Sequence, residues 1–168
     1  INNYSINSNY SLAVLDARQI IKIADIWLTD PPYADAINYH ELSEFFLAWD
    51  KKMLLDIFPD WYADSKRVLA VTGTGENFNR SMVEIYRNLA AHMPDYGMQI
   101  VMFTHQDVSV WADLALILWA AGLKVTAAWT IATETDSIGL KKGNYVQGTV
   151  LLVLRKQLSE DTAYLDEL

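Results

Sequence analysis

The sequence predicts an α/β domain built on a mostly parallel sheet covered by helices, with the last strand antiparallel. Apolar runs of strand length alternate with segments whose apolar residues recur every three or four positions. That alternation implies strands linked by helical, right-handed crossovers. The chain also closes on two strand-like runs joined by a polar loop from Asp136 to Gly143, which pairs them antiparallel. At 168 residues and 52% hydrophobic composition, there is material for one core and not for two. Residues 1–168 therefore read as a single domain, with no internal repeat and no linker.

The first nine residues, rich in Asn and Ser, read as a loop. Ser11–Asp16 (SLAVLD) is a short strand candidate, and Ile23–Thr29 a strand buried on both faces, stopped by Asp30-Pro31-Pro32. From Asn38 the period changes. Tyr39, Leu42, Phe45, Phe46, Trp49 and Met53 form the stripe of one amphipathic helix, with Asn38 as N-cap and Glu41 three residues on. Val68–Thr72 is a short strand candidate followed by the loop Gly73-Thr74-Gly75. Asn79–Met93 reads as a helix presenting Met82, Ile85, Tyr86, Leu89 and Met93, with Pro94 beyond its end. Then come a strand at Met98–Thr104, a helix at Val108–Ala121 closed by Gly122, a strand at Leu123–Thr133 and a last strand at about Val146–Arg155. Trp111, Trp119 and Trp129 sit in apolar patterns and are expected in the core.

Composition excludes several functions. With no cysteine there is no disulfide framework and no thiolate zinc site, which fits a reducing, cytoplasmic setting. His40, His92 and His105 are too far apart in sequence for a chelating pair on one helix, so no metal site is expected. The longest apolar stretch, Leu114–Leu123, is half of a membrane span, and Ile1-Asn2-Asn3-Tyr4 has no signal-peptide character, so no membrane association is expected. A net charge of −8 repels phosphate backbones unless a basic patch overrides it. The acidic tail, 157–168, holds Glu160, Asp161, Asp166 and Glu167, and the rest of the chain still carries −4.

One stretch carries chemistry: "TDPPYADA", residues 29–36. In open α/β sheets ligands bind outside the carboxyl ends of the strands, and a Pro-Pro turn holds its flanking groups with little mobility. Asp30 offers carboxylate acceptors, Pro31 a carbonyl, and Tyr33 an aromatic face. Together they suit a planar ring bearing an amino group. A given four-residue string of this kind occurs by chance on the order of once in a thousand chains of this length.

Asp-Pro-Pro-Tyr after a strand resembles the catalytic motif of the S-adenosylmethionine-dependent amino methyltransferases. Together with "TDPPYADAINYHELSEFFLAW", "RSMVEIYRNLA", "VMFTHQDVSVWADLALILWAAGL" and "GNYVQGTVLLVLRK", it is similar to the adenine-specific DNA methylases described as containing a Zn-ribbon domain. The resemblance covers about Asp16 to Lys156. It implies a Rossmann-like class I methyltransferase fold and S-adenosylmethionine as cofactor. The implied substrate is DNA presenting a flipped adenine, and Asp30, Pro31, Pro32 and Tyr33 are the implied catalytic residues. In that reading the Asp30 carboxylate and Pro31 carbonyl hold the amine and free its lone pair for attack on the methyl group, while Tyr33 stacks on the base. Asp16 and Ala17, 14 residues before Asp30, look like the acidic motif that contacts the cofactor adenine, with Asp30 adjoining. An acid there serves equally as a turn or helix cap.

The family pattern is incomplete. The glycine-rich cofactor loop and the first strands are missing, and so are the zinc-ribbon cysteines. The chain thus looks like a partial catalytic domain, completed by homo-oligomerisation or by a missing N-terminal part of the same protein. RNA or cytosine as substrate, or a catalytically silent partner role, stay open alongside adenine in DNA. Weaker features are Gly73-Thr74-Gly75 as a loop near DNA, and His105-Gln106-Asp107 as pocket lining or helix cap. Lys141, Lys142 and Asn144 could contact a phosphate or form a solvated hairpin.

Overall fold

A computed structural model of the chain describes residues 9, 11, 13–32, 39–60, 62, 69–71, 75–132 and 148–158. Their order is a 3-10 turn (Ala17–Gln19), β1 (Ile26–Thr29), α1 (Tyr39–Trp49), α2 (Lys51–Ile57), α3 (Glu76–Ala91), β2 (Met98–Phe103), α4 (Val108–Ala120), β3 (Leu123–Ile131) and β4 (Thr149–Lys156). The four strands form one sheet in the order β1-β2-β4-β3. β1 pairs parallel with β2, while β4 runs antiparallel to both β2 and β3. Three strands therefore share one direction and the last opposes them, so only one of the three ladders is parallel.

α3 forms where Phe78, Met82, Tyr86 and Leu89 recur at helical spacing, and all four are buried. Its start is Gly75, at φ 72°, in the region open to glycine. α4 begins at Asp107, whose carboxylate accepts from Ser109 N at 2.8 Å, and stops at Gly122, at φ 80°, the left-handed residue that ends many helices. Both helices lie on one face of the sheet. There Tyr86, Leu89, Leu114, Ile117 and Leu118 pack against Val101, Phe103 and Leu154. Between α3 and β2 the chain turns at Gly97, where a Cβ would lie 2.4 Å from Met93 Cγ and 2.9 Å from Asp25 O. No described helix is long and apolar enough to cross a membrane.

The structure differs from the sequence reading at several points. The described part of Ser11–Asp16 forms no strand: Val14 and Leu15 are exposed, and among the described residues β1 pairs with β2 alone. An extended segment without a ladder keeps its backbone groups for water and local turns. β1 is shorter than Ile23–Thr29, and it is not buried on both faces: Ile26 and Leu28 are 55% and 64% exposed. The helix expected from Asn38 to Met53 is two helices, because Asp50 leaves helical geometry at φ −91°, ψ 6°. Asn38 itself lies outside the described residues. Residues 69–71 are not strand. Of the three tryptophans placed in the core, Trp111 packs edge-on to Phe103 at 4.9 Å. Trp119 and Trp129 are 65% and 61% exposed, since no described element covers their side of α4 or of the sheet.

Candidate functional site

The carboxyl ends of the neighbouring parallel strands β1 and β2 place the sequence motif at the top of the sheet. Asp30 follows β1 directly and is exposed; Pro31 is buried and Pro32 half-buried. The Asp30 carboxylate forms no hydrogen bond or ion pair within the described residues. It stands exposed on a turn whose two prolines fix φ near −65°. Tyr33, the fourth residue of the motif, lies outside the described residues.

Beneath this turn a second layer forms. Thr29 Oγ1 lies 3.3 Å from the Tyr86 hydroxyl and 3.5 Å from Ile100 O, so β1, α3 and β2 meet just before Asp30. Burial pushes the Tyr86 hydroxyl up to about 12; the contact with Thr29 opposes that shift and the Asp30 charge adds to it. Next to the prolines a small, shallow groove opens between α3 and α4. Its walls are Pro31, Pro32, Phe78, Met82, Phe103 and Leu114, with Asn79 and Asp113 as the polar residues among its lining.

Asp16 and Ala17 stand differently. Asp16 caps the 3-10 turn by accepting from Arg18 N at 2.9 Å, and both of its oxygens accept from the Arg18 guanidinium, at 2.7 to 3.1 Å. Those side-chain hydrogen bonds hold its carboxyl below the usual aspartate range. The Ala17 carbonyl accepts from Asn88 Nδ2 at 3.0 Å, and Ile20 O accepts from the same nitrogen at 2.9 Å. As folded, Asp16 closes the turn on Arg18, and the carbonyls of Ala17 and Ile20 fasten the entering chain to α3. The carboxylate offered to a cofactor is already saturated by an arginine.

Asp107 is a helix cap, as weighed from sequence, with backbone and side-chain hydrogen bonds from Ser109 that lower its pKa. His105 Nδ1 accepts from Asp107 N at 2.9 Å, and its carbonyl accepts from Trp111 Nε1. Gly73, Thr74, Lys141, Lys142 and Asn144, and the tail from 159 onward, lie outside the described residues; Gly75 caps α3.

Sequence reasoning missed Arg18, Asn88 and Tyr86 as parts of the site. The first was legible, since Asp-x-Arg places opposite charges within reach across one turn. Asn88 was also visible as an amide beside the apolar stripe of α3. Tyr86 was assigned only to that stripe; its hydroxyl pairs with a residue 57 positions away, which spacing along the chain does not reveal.

No family profile matches the chain, and no curated protein sequence matches it. Among solved structures it is similar to the crystal structure of a Thermus thermophilus protein described as a candidate DNA modification methylase. Identity is 12% and the TM-score 0.46, over 90% of this chain and 55% of that one. The chain therefore spans little more than half the length of that protein, and the functional reading rests on the site and its sequence motif.

Proposed function

We propose that this chain carries the amine-binding motif of an S-adenosylmethionine-dependent methyltransferase that acts on the exocyclic amino group of adenine in DNA. The observation that supports it is the exposed Asp30 carboxylate, unpaired among the described residues, on a di-proline turn at the carboxyl end of β1. An exocyclic amine is a weak nucleophile because its lone pair is delocalised into the ring. A carboxylate accepting one N–H, with the carbonyl of Pro31 accepting the other, favours the pyramidal nitrogen whose lone pair is free. Such fixed acceptors act through preorganisation. When bound, S-adenosylmethionine would supply the electrophilic methyl group.

The described residues fit the amine half of that chemistry better than the cofactor half. Among the described residues Asp30 has no partner, whereas both oxygens of Asp16 accept from Arg18, a partner it would have to exchange for a nucleoside. This favours one second reading, a catalytically silent partner that keeps the motif without binding cofactor.

Calorimetric titration with S-adenosylmethionine, followed by methyl transfer to duplex DNA, to RNA and to adenine-free G·C duplexes, separates the readings. Transfer to adenine that is lost in Asp30→Ala supports the proposal. A folded chain that binds no cofactor, alone or as an oligomer, supports the silent partner instead.

A further inference from the structure

The sheet has two apolar faces, and the described helices α3 and α4 both lie on one of them. On the other, the strand registers align Ile26 with Met98, Leu28 with Ile100, Met102 with Leu151, and Trp129 with Leu151. Every one of these side chains is apolar; the same face also carries Val153, buried at its centre, and at one end the aligned cations Lys124 and Arg155. Ile26, Leu28 and Trp129 are 55%, 64% and 61% exposed. A sheet with antiparallel ladders can leave one face to water, but that face is then ordinarily polar; an apolar face left uncovered by the described residues marks an interaction site.

The same chain carries a second surface of the complementary kind. Leu42, Phe45, Phe46 and Trp49 of α1, with Met53 of α2, form a helical stripe of large side chains. They are between 49% and 76% exposed, and α2 contributes no buried residue. Phe45 meets Phe46 edge-on and lies tilted against Trp49, at 5.5 and 5.9 Å between ring centroids, so the aromatics stand as one ridge. Among the described residues, the chain satisfies neither the helix stripe nor the sheet face.

We propose that two copies of this chain associate reciprocally, α1 of each lying on the bare sheet face of the other. A two-fold axis repeats the contact, as an isologous interface requires. With large side chains offering about 150–250 Å² each and half of that exposed here, each stripe supplies about 500 Å². Two stripes and the two faces they cover bury about 2,000 Å² in total, at the upper end of the standard size of stable interfaces. Apart from the two cations at the end of the face, the named contact residues carry no charge, while each copy bears −8 overall. Added salt therefore screens the repulsion between copies and strengthens the dimer.

Sedimentation equilibrium of the full chain tests this. The expected species has twice the 19.1 kDa monomer mass. Phe45→Glu and Trp129→Glu, each checked by circular dichroism, are expected to weaken association at least about tenfold. Trp119→Glu, exposed on α4 outside both surfaces, is expected to leave it unchanged. Should either glutamate variant unfold, Phe45→Ala and Trp129→Ala replace the pair with the same expectation. The decisive step is mixing Phe45→Glu with Trp129→Glu. The mixed dimer keeps one intact contact, Phe45 of one copy on Trp129 of the other, and is expected to form more tightly than either variant alone. A wild-type chain that stays monomeric, a dimer indifferent to both substitutions, or a mixture no tighter than its components would each overturn the proposal. A monomer whose α1 cross-links to its own sheet would overturn it too, by showing that the stripe is satisfied within one chain.

Discussion

The Tyr86 hydroxyl and Thr29 Oγ1 stand 3.3 Å apart, one residue below the exposed Asp30. α3 thereby holds the end of β1 from beneath through a buried polar contact. Tyr86→Phe removes the hydroxyl and keeps the ring. Its expected cost is about 0.5–1.5 kcal/mol in urea unfolding, the net worth of one such bond. Methyl transfer, if the chain performs it, should fall through kcat more than through KM, because the loosened turn binds the amine in less productive geometries.

The same tyrosine sets an alkaline limit. Its folded pKa of about 12 lies above the ordinary value of 10.0, so its contribution to stability is complete below pH 10 and is lost as pH rises toward 12. Urea midpoints measured across that window should decline less steeply in Tyr86→Phe than in wild type. Equal slopes would place the buried hydroxyl elsewhere.

Asp30→Asn should leave stability within about 0.5 kcal/mol, as expected of an exposed side chain with no partner among the described residues. On the proposed function, transfer to adenine should be abolished. A thermal shift of several degrees in this variant would reveal a structural role for the carboxylate.

Gln99 is fully buried beside Trp27, and both Gln99 Oε1 and Trp27 Nε1 lack hydrogen-bond partners among the described residues. The one bond of the amide, from Nε2 to Tyr86 O, is long at 3.5 Å. An orphaned buried acceptor costs about 1–3 kcal/mol. Gln99→Leu should therefore match or exceed wild-type stability in chemical denaturation, whereas a loss above about 1 kcal/mol would show that the amide is well satisfied in solution.

Arg18→Ala should let the Asp16 carboxyl titrate nearer its ordinary range, read by carboxyl carbon shifts in NMR. The guanidinium hydrogen bonds lower that pKa. The pair's stabilisation is thus present above the ordinary aspartate value of about 3.9 and lost as pH falls through the lowered one. Being partly exposed, it is worth about 1 kcal/mol or less.

The helices and the later strands were legible because their signals are local. Met82, Tyr86 and Leu89 repeat on one side of α3, and the apolar run Val108–Ala120 ends at Gly122 where a left-handed residue is needed. The motif's position at a strand end was equally plain, since prolines cannot continue a ladder. What sequence did not show was coverage. Ile26, Leu28 and Trp129 have core-like chemistry and lie exposed, because hydrophobicity records that a residue wants burial and not whether its own chain supplies it. Asp16 was ambiguous for a related reason. An acid after an apolar run serves a ligand or a turn alike, and only the fold shows Arg18 closing on it.

Among the described residues β1 has four residues and one ladder, to β2. Asp30 therefore rides on the margin of the sheet, where opening costs least. Any chain that hydrogen-bonds along the side of β1 left open by the described residues lowers the entropy that Asp30 must give up when it grips an amine. By thermodynamic reciprocity, an amine held at Asp30 tightens the edge for that chain by the same factor. A four-residue strand would then act as the coupler between assembly and substrate, with no contact shared by the two.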